Sequence, residues 1–300
     1  MEDENRWVHR TQNLSALSYR FAVRADDERL GCLADAVLAG LRDPRDAAPV
    51  EHWYSMTASD AALGTVDVTC DDSELALGQH PGDALGWVVW DVNRAAAEAS
   101  GSHLLFHAGG VEAGGTGMLI PGASGSGKST LVAGLVRAGL GYLTDELAAL
   151  DMASGKLMPY PKPITVKSGS FAVLSDMDPD VRRRPGHGPW AGEEWQLAVG
   201  EGTGRRVGGP CEAGFVVFPR YDATAETVLT PLSATQAFLA LAVNAVNLIP
   251  HGSAGTRVVG RLAVQCRCFS LTVSDLDAAC RLVLELVEAP AARGGADREP

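Results

Sequence analysis

The chain has 300 residues, of which 46% are hydrophobic and 21% charged, a composition typical of a globular protein rather than a disordered one. Its formal net charge of -12, from 37 acidic against 25 basic residues, argues against a partner with a phosphate backbone, so we predict no nucleic-acid binding. The length allows one large domain or two modest ones.

The first residues, MEDENRWVHR, have no apolar segment behind a basic one, so they predict no secretory signal. The longest apolar run, AFLALAVNAVNLIP, is interrupted by two asparagines and is too short to span a bilayer. We therefore predict a cytoplasmic protein without membrane contact. Six cysteines without any C-x-x-C pair favour reduced thiols, and we interpret Cys266 and Cys268 as packing residues along a strand.

The N-terminal region contains patterns of both helix and strand. ERLGCLADAVLAGL, residues 28–41, places its apolar residues on one helical face, and TVDVTC, residues 65–70, alternates like a strand. The segment GDALGWVVWDVNRAAAEASG predicts a helix that runs to about Ser100, in which Trp87 and Trp90 are expected to be core residues. Residues 1–84 are predicted to form a small α+β unit, for which no motif indicates a function.

The middle of the chain, HLLFHAGGVEAGGTGMLIPGASGSGKSTLVAGLVRAGLGYLTDELAALD, predicts strand, turn, strand, glycine loop, helix and strand in quick succession. This order is that of a βαβ unit, and it predicts an α/β fold.

Within this segment, GASGSGKST fits the phosphate-loop pattern G-x-x-x-x-G-K-[ST]. Backbone N–H groups of such a loop converge on phosphate oxygens, while the following helix directs its positive end at them. Lys128 is expected to reach the outer phosphates and Ser129 to hold Mg²⁺. A flexible linker is the alternative, but the preceding strand and the following helix disfavour it. The predicted nucleotide-binding residues are Gly122, Ala123, Ser124, Gly125, Ser126, Gly127, Lys128, Ser129 and Thr130.

An acidic pair, Asp145 and Glu146, ends the next strand, GYLTDEL. This strand is expected to run parallel to GMLIP, so that its carboxyl end opens beside the phosphate loop. A carboxylate there can hold Mg²⁺ or accept the proton of a substrate hydroxyl, although a solvated turn is the simpler alternative. His107, at the end of an apolar strand, is weak evidence alone, because a structural histidine is more common.

The C-terminal part of the chain is predicted to contain a long loop, two strand regions and two helices. Residues 182–210, rich in glycine, proline and arginine, predict a long mobile loop, in which Arg182 to Arg184 are either solvated or part of a lid. Then come the strand AGFVVFPR, a helix from Ser233 to about Asn247 with a capping box, the strand pair GRLAVQCRCFSLTV and a helix from Ser274. The tail 291–300 is predicted to be disordered.

Three of these features together resemble the kinase domain of the HPr kinase/phosphorylase family, and more closely the HPr kinase-like enzymes found beside peptide-modification genes. They are a histidine fifteen residues before the first loop glycine, the GxSGxGKS loop and the acidic pair. The similarity is sharp over about residues 85–170 and softer to 288, so residues 85–290 are predicted to form the kinase domain.

The resemblance implies a fold related to phosphoenolpyruvate carboxykinase, with ATP and Mg²⁺ bound, and a homo-oligomer. It implies that His107 lies near the transferred phosphate, that Lys128 and Ser129 hold nucleotide and metal, and that Asp145 and Glu146 share the metal and base roles in an order left open. The chain departs from the family pattern at two places, and both departures speak against HPr as the acceptor and against the reverse phosphorylase activity. The acidic pair is Asp-Glu where HPr kinases have Asp-Asp, and TVKSG replaces the Glu-x-Arg-Gly signature.

All four lysines lie between residues 128 and 167, which is consistent with a phosphate-rich pocket, although a genome that prefers arginine would explain the same pattern. Lys156 is interpreted as a turn residue. Lys162 and Lys167 flank a predicted strand that returns to the site, and together with Arg220 they are candidates for contact with phosphate or substrate.

The leading hypothesis is an ATP-dependent kinase that transfers the γ-phosphate to a serine- or threonine-type hydroxyl of a peptide, protein or small molecule. Its predicted catalytic residues are His107, Lys128, Asp145, Glu146, Lys162 and Arg220, and its predicted metal ligands are Ser129, Asp145 and Glu146. A nucleotide-dependent switch ATPase is the alternative, although the chain has neither an LSGGQ-like stretch nor N-K-x-D. A binding module that has lost turnover is the third possibility.

Overall fold

The structure is a computed structural model, and it describes residues 6–43, 49–60, 64–177, 186–187 and 193–289. The arginines at 182–184 and the tail 291–300 lie outside these ranges, so the predictions made for them stay predictions. Among the helices in the described ranges, none has both the length and the apolar character that a membrane span requires.

An N-terminal sheet of six strands has the order β1-β3-β4-β5-β6, with β2 paired to β3. Strands β3 and β4 are parallel, and the other pairs are antiparallel. The predicted strand TVDVTC is confirmed as β5. The strands are β1 His9–Arg10, β2 Leu14–Ala16, β3 Tyr19–Ala25, β4 His52–Asp60, β5 Thr65–Cys70 and β6 Ser73–Gln79.

In the described residues, two α-helices and one short 3-10 helix belong to this region. Helix α1, Glu28–Val37, begins where the Asp27 carboxylate accepts hydrogen bonds from two backbone N–H groups, and it buries apolar residues at the predicted helical spacing. A short 3-10 helix, Ala39–Leu41, forms the last part of the predicted segment. Helix α2, Pro81–Ala99, confirms the predicted helix, and its first residue is a proline, which has no N–H to leave unpaired.

Helix α2 joins the N-terminal sheet to the rest of the protein. Its buried residues Val88 and Val92 pack in the core of the N-terminal sheet, and Leu105 and Leu147 from the second sheet belong to the same core cluster. The predicted division after residue 84 falls within this helix.

The second sheet has eight strands in the order β11-β10-β7-β8-β15-β17-β16, with β9 also paired to β7. Strand β7 is antiparallel to β8, β9 and β10, so β8 and β9 run in the same direction with β7 between them. Strand β15 is parallel to β8 and to β17. The strands are β7 His103–Ala113, β8 Thr116–Pro121, β9 Gly141–Thr144, β10 Leu147–Asp151, β11 Leu157–Met158, β15 Glu212–Tyr221, β16 Val228–Pro231 and β17 Arg267–Val273.

A small antiparallel sheet, β12-β14-β13, replaces part of the predicted loop. Its strands are β12 Ile164–Lys167, β13 Gly186–His187 and β14 Glu193–Leu197. The loop prediction is wrong for the described residues of these strands, because Trp195 and Leu197 are buried while Glu194 and Gln196 face the other side. That alternation is typical of a strand, and glycine and proline on either side obscured it.

Four further helices follow the phosphate loop in the described part: α3 Lys128–Arg137, α4 Ala234–Asn244, α5 Leu248–Gln265 with a kink at Gly252, and α6 Leu276–Glu288. The predicted capping box from Ser233 to Gln236 is confirmed at the start of α4. The predicted strand at 260–265 is wrong, since these residues end α5 and bury Val259, Leu262 and Ala263 at helical spacing. Cys266 and Cys268 are buried in the core as predicted, although Cys266 lies before β17 at the end of α5.

Candidate functional site: a cavity beside the phosphate loop

A cavity of about 670 Å³ lies where the second sheet, α2, α3 and the small sheet meet. The phosphate loop lines it through Ser124, Gly125 and Gly127, and α3 lines it through its first residues, 128–131. His107 and the pair Asp145 and Glu146 face the same cavity. The acidic pair follows the end of β9, whereas His107 lies inside β7, so the prediction that it ends a strand is wrong. The fold therefore brings together side chains that are separated by up to 39 positions in the sequence.

The phosphate loop needs glycine at three positions. Gly125 and Gly127 have φ values of 82° and 93°, in the left-handed region that favours glycine. A Cβ at Gly122 would lie 2.6 Å from the Ser126 hydroxyl oxygen, so a side chain there would collide with the loop itself. Helix α3 begins at Lys128 without a side-chain cap, which leaves backbone N–H groups at its first turn for a ligand.

Lys128 is buried and its ammonium contacts two groups. Nζ lies 2.9 Å from the carbonyl oxygen of Ala123, to which it donates, and 3.1 Å from Nε2 of His107. Burial and the nearby Lys128 charge hold the pKa of His107 below its usual value of 6.5, and burial likewise lowers the pKa of Lys128. Near neutral pH the uncharged imidazole accepts a hydrogen bond from the lysine.

Asp145 is 1% exposed, and both of its carboxylate oxygens are engaged. Oδ1 accepts a hydrogen bond from the Tyr142 hydroxyl at 2.9 Å and lies 2.6 Å from Nζ of Lys162, while Oδ2 accepts from the Thr165 N–H at 3.1 Å. A carboxylate with these three donors is held in one orientation, which suits a positioning residue.

Lys162 is equally buried and is held between the two acidic residues. Burial lowers its pKa, but the charges of Asp145 and Glu146 outweigh that effect and raise the pKa above the usual 10.5. Lys162 does not line the cavity itself. Its Nζ lies 3.6 Å from Glu146 Oε2, so the lysine connects the buried carboxylate to the accessible one.

Glu146 differs from its neighbour, because its side chain is 45% exposed and faces the cavity. Among the described residues its one ion pair is the distant contact with Lys162. Its oxygens remain accessible to a metal ion or to a substrate hydroxyl.

Two further predicted residues lie at the edge of the site. Lys167 lines the cavity at the end of β12, as the predicted returning strand requires. Arg220 does not line the cavity; it is exposed, with its guanidinium 3.7 Å from the Asp222 carboxylate. Its neighbour Tyr221 lines the cavity instead. Lys156 lies in the turn after β10, away from the cavity.

The structure adds residues that the sequence did not indicate as part of a site. Trp90 and Asn93 on α2, and Glu194 and Gln196 on β14, line the cavity. The prediction that Trp87 and Trp90 are core residues is wrong, since both are half-buried and their rings pack edge to face at 5.6 Å. One face of α2 packs in the N-terminal core and another face lines the cavity. The helical spacing of apolar residues does not show which face lies where.

A comparison with protein-family models and a comparison with curated proteins each found no match for this chain.

Proposed function

We propose that this protein is an ATP-dependent phosphotransferase with a P-loop kinase fold of the HPr kinase-like, phosphoenolpyruvate carboxykinase-related type. The reaction transfers the γ-phosphate of ATP to a serine- or threonine-type hydroxyl of a peptide, protein or small molecule. The observation that carries the proposal is that Lys128, at the end of a phosphate loop, and Glu146, an accessible carboxylate, face one cavity.

The residues present fit a nucleoside triphosphate with Mg²⁺. The loop has left-handed glycines and uncapped N–H groups at the start of α3, which suit phosphate oxygens. The hydroxyl of Ser129 and the carboxylate of Glu146 are oxygen donors, the kind of ligand that Mg²⁺ prefers. Held there, Mg²⁺ would supply positive charge that offsets the negative charge developing during transfer.

The chain's own residues account for the other steps. The ammonium of Lys128 exchanges its contact with the Ala123 carbonyl for a contact with a phosphate oxygen. His107, which accepts a hydrogen bond from this ammonium, keeps it oriented. The acceptor oxygen forms a bond to the γ-phosphorus, the bond from that phosphorus to the bridging oxygen breaks, and ADP leaves. The hydroxyl proton passes to Glu146, which we assign as the base because it is the accessible carboxylate of the pair. Asp145 acts through Lys162, which it holds beside Glu146.

Transfer of γ-labelled phosphate from Mg-ATP into a lysate of the source organism tests this function. The wild type is compared with Lys128→Ala and with the double variant Asp145→Asn, Glu146→Gln, and the labelled product is sized. We expect label that depends on both positions, and its size then separates metabolite, peptide and protein acceptors. If the wild type hydrolyses ATP without labelling anything, and both variants fail to hydrolyse it, the protein is a switch ATPase instead. The homo-oligomer stays a prediction.

A further inference from the structure

Strand β8 leads into the phosphate loop, and it has β7 and β10 on one side and β15 and β17 on the other. Residues associated with both sides line the cavity. On the side of β15 and β17 lie Tyr221, Val273 and Leu276. On the other side lies a surface of α2 that we call the α2 wall, formed by Gly86, Val89, Trp90 and Asn93.

Tyr221 lies beside the loop itself. A Cβ at Gly127 would be 3.9 Å from the Cβ of Tyr221, and the tyrosine is 60% exposed at the carboxyl end of β15. On the same side, Leu276 packs against Gly134 of α3, where a Cβ would lie 2.9 Å from it. This side therefore offers an accessible aromatic ring next to the point where the phosphates enter the loop.

The α2 wall lies on the side of His107 and Glu146. Alternate residues of β7 share one face of the sheet, which places His107 between Leu105 and Gly109. Leu105 belongs to the core cluster that contains α2, whereas a Cβ at Gly109 would lie 2.5 Å from Val132 of α3. His107 thus lies between α2 and the phosphate-loop helix. Glu146 lies immediately before Leu147, which pairs with His107 in the sheet.

In-line transfer places the attacking hydroxyl and the departing ADP on opposite sides of the γ-phosphorus. Because the base must touch the hydroxyl, the acceptor enters from the side of Glu146, where the α2 wall lies. ADP, and with it the nucleoside, then extends toward Tyr221.

We propose that the α2 wall is the acceptor subsite, and that it takes a hydroxyl carried next to an apolar or aromatic group; this assignment rests on the proposed phosphotransferase function. Val89 and the half-buried ring of Trp90 provide apolar surface, and Gly86 lines the same wall without a side chain. The buried Oδ1 of Asn93 has no hydrogen-bond partner among the described residues, so the same wall also has an unused polar group. A peptide serine flanked by an apolar residue and a small aryl alcohol share this chemistry.

The first arm of the test locates the nucleoside without any knowledge of the acceptor. Affinities for Mg-ATP and for Mg-tripolyphosphate are measured in the wild type, Trp90→Ala and Tyr221→Ala, with Trp53→Ala as a control for the loss of an indole on the N-terminal sheet. We expect Tyr221→Ala to weaken ATP binding by about 5-fold or more, the loss of one stacked base, while leaving tripolyphosphate unchanged. Trp90→Ala and Trp53→Ala should change neither affinity by more than about 2-fold, since neither ring contacts the nucleoside in this assignment.

The second arm tests the acceptor chemistry with three probes: N-acetylserine amide, N-acetyl-seryl-phenylalanine amide and 2-phenylethanol. We expect the enzyme to phosphorylate at least one of the two ring-bearing probes with a lower KM than serine amide. Trp90→Ala should raise that KM while leaving kcat unchanged. Labelling of the dipeptide alone indicates a peptide source, and labelling of phenylethanol alone indicates a small alcohol.

Two results overturn the subsite. Weaker ATP binding in Trp90→Ala with unchanged tripolyphosphate binding would place the base, not the acceptor, on α2. A wild type that binds Mg-ATP but labels none of the three probes, or labels serine amide best, would overturn the acceptor chemistry. Failure of the function itself is distinct, because the lysate would then carry no label that depends on Lys128 and on the acidic pair, whereas failure of the subsite alone leaves that lysate label in place.

Discussion

The N-terminal core and the cavity each contain a buried aspartate, and the two are neutralised in different ways. Asp91 on α2 accepts a hydrogen bond from the Tyr54 hydroxyl at 2.7 Å and pairs with Arg94, whose side chain is 48% exposed. Asp145 accepts from the Tyr142 hydroxyl and pairs with Lys162, which is 1% exposed. The first pair reaches water, and the second lies in the interior beside an accessible carboxylate.

This difference indicates what each charge does. A buried ion pair costs desolvation on both partners and often adds little to stability. An interior lysine that holds one carboxylate and lies beside another is therefore better explained by the chemistry of the cavity than by the stability of the fold. Asp91, by contrast, behaves as a structural group with a solvated counterion.

The largest expected effect is on the free energy of unfolding when a counterion is removed. Lys162→Met leaves Asp145 charged and buried, so we expect a loss of about 3–5 kcal/mol. The matched change Arg94→Met should cost about 1 kcal/mol or less, because that arginine is half-exposed. Urea unfolding followed by circular dichroism measures both, and equal losses would remove the distinction between the two pairs.

The next effect separates the two carboxylates of the site. Glu146→Gln should lower the rate of phosphoryl transfer by about 10²- to 10³-fold through loss of the base, with little loss of stability because the side chain is half-exposed. Asp145→Asn should reduce both the rate and the stability, since it leaves Lys162 buried without its closest partner. Transfer assays together with unfolding curves test the assignment, which would be reversed if Asp145→Asn were stable and inactive while Glu146→Gln were active.

The two phenols give a smaller, matched comparison. Tyr142→Phe and Tyr54→Phe each remove one hydrogen bond to a buried carboxylate, which contributes about 1.5–3 kcal/mol. Tyr54→Phe also removes the contact with the Tyr19 hydroxyl at 3.2 Å. We expect both to lower the free energy of unfolding, Tyr54→Phe by at least as much as Tyr142→Phe, and only Tyr142→Phe to reduce phosphoryl transfer. A loss of transfer in Tyr54→Phe would mean that the N-terminal core affects the site.

Two histidines should have the smallest effects on the free energy of unfolding, and these effects should depend on pH in opposite directions. The carboxylates of Asp35 and Glu28 raise the pKa of His9 although burial opposes them, so its stabilisation is complete below pH 6.5 and is lost as the pH rises through the folded pKa. Burial lowers the pKa of His107, so its effect runs the other way: stability falls as the pH drops below 6.5.

The corresponding variants are His9→Gln and His107→Gln, unfolded in urea between pH 5.5 and 8. The free energy of unfolding of His9→Gln should fall furthest below that of the wild type at the acid end. That of His107→Gln should rise relative to the wild type at the same end. Shifts in the same direction would contradict the two environments.

The sequence was sufficient for the parts of the site that are local in the chain. The phosphate loop, the strand before it and the helix after it are contiguous, and Glu146 follows the end of the next strand. His107 lies inside β7 rather than at its end, so its place beside the loop depends on how β7 pairs with its neighbours. The exposure of Glu146 against the burial of Asp145 could not be predicted, because it depends on Lys162 and Thr165, which reach the pair through tertiary folding.

The remaining parts of the site are contributed by distant segments. Trp90 lies 38 positions before Lys128, and its helix packs on both the N-terminal core and the cavity, so its spacing is compatible with either face. The β14 residues Glu194 and Gln196 alternate with the apolar Trp195 and Leu197, a pattern that could have predicted a strand but not its position beside the loop. The segment 260–265 shows the opposite failure, since a short apolar run suits both a strand and a helix end.

The central claim is that the cavity binds a nucleoside triphosphate through Lys128. Calorimetric titration of Mg-ATP into the wild type, Lys128→Ala and Lys156→Ala tests it most directly, because Lys156 is a lysine from the same part of the chain that lies outside the cavity. We predict saturable binding to the wild type and to Lys156→Ala, and binding at least about tenfold weaker to Lys128→Ala, the loss of one charge-assisted contact to phosphate. Equal affinity in all three proteins, or no binding to the wild type, would contradict the claim.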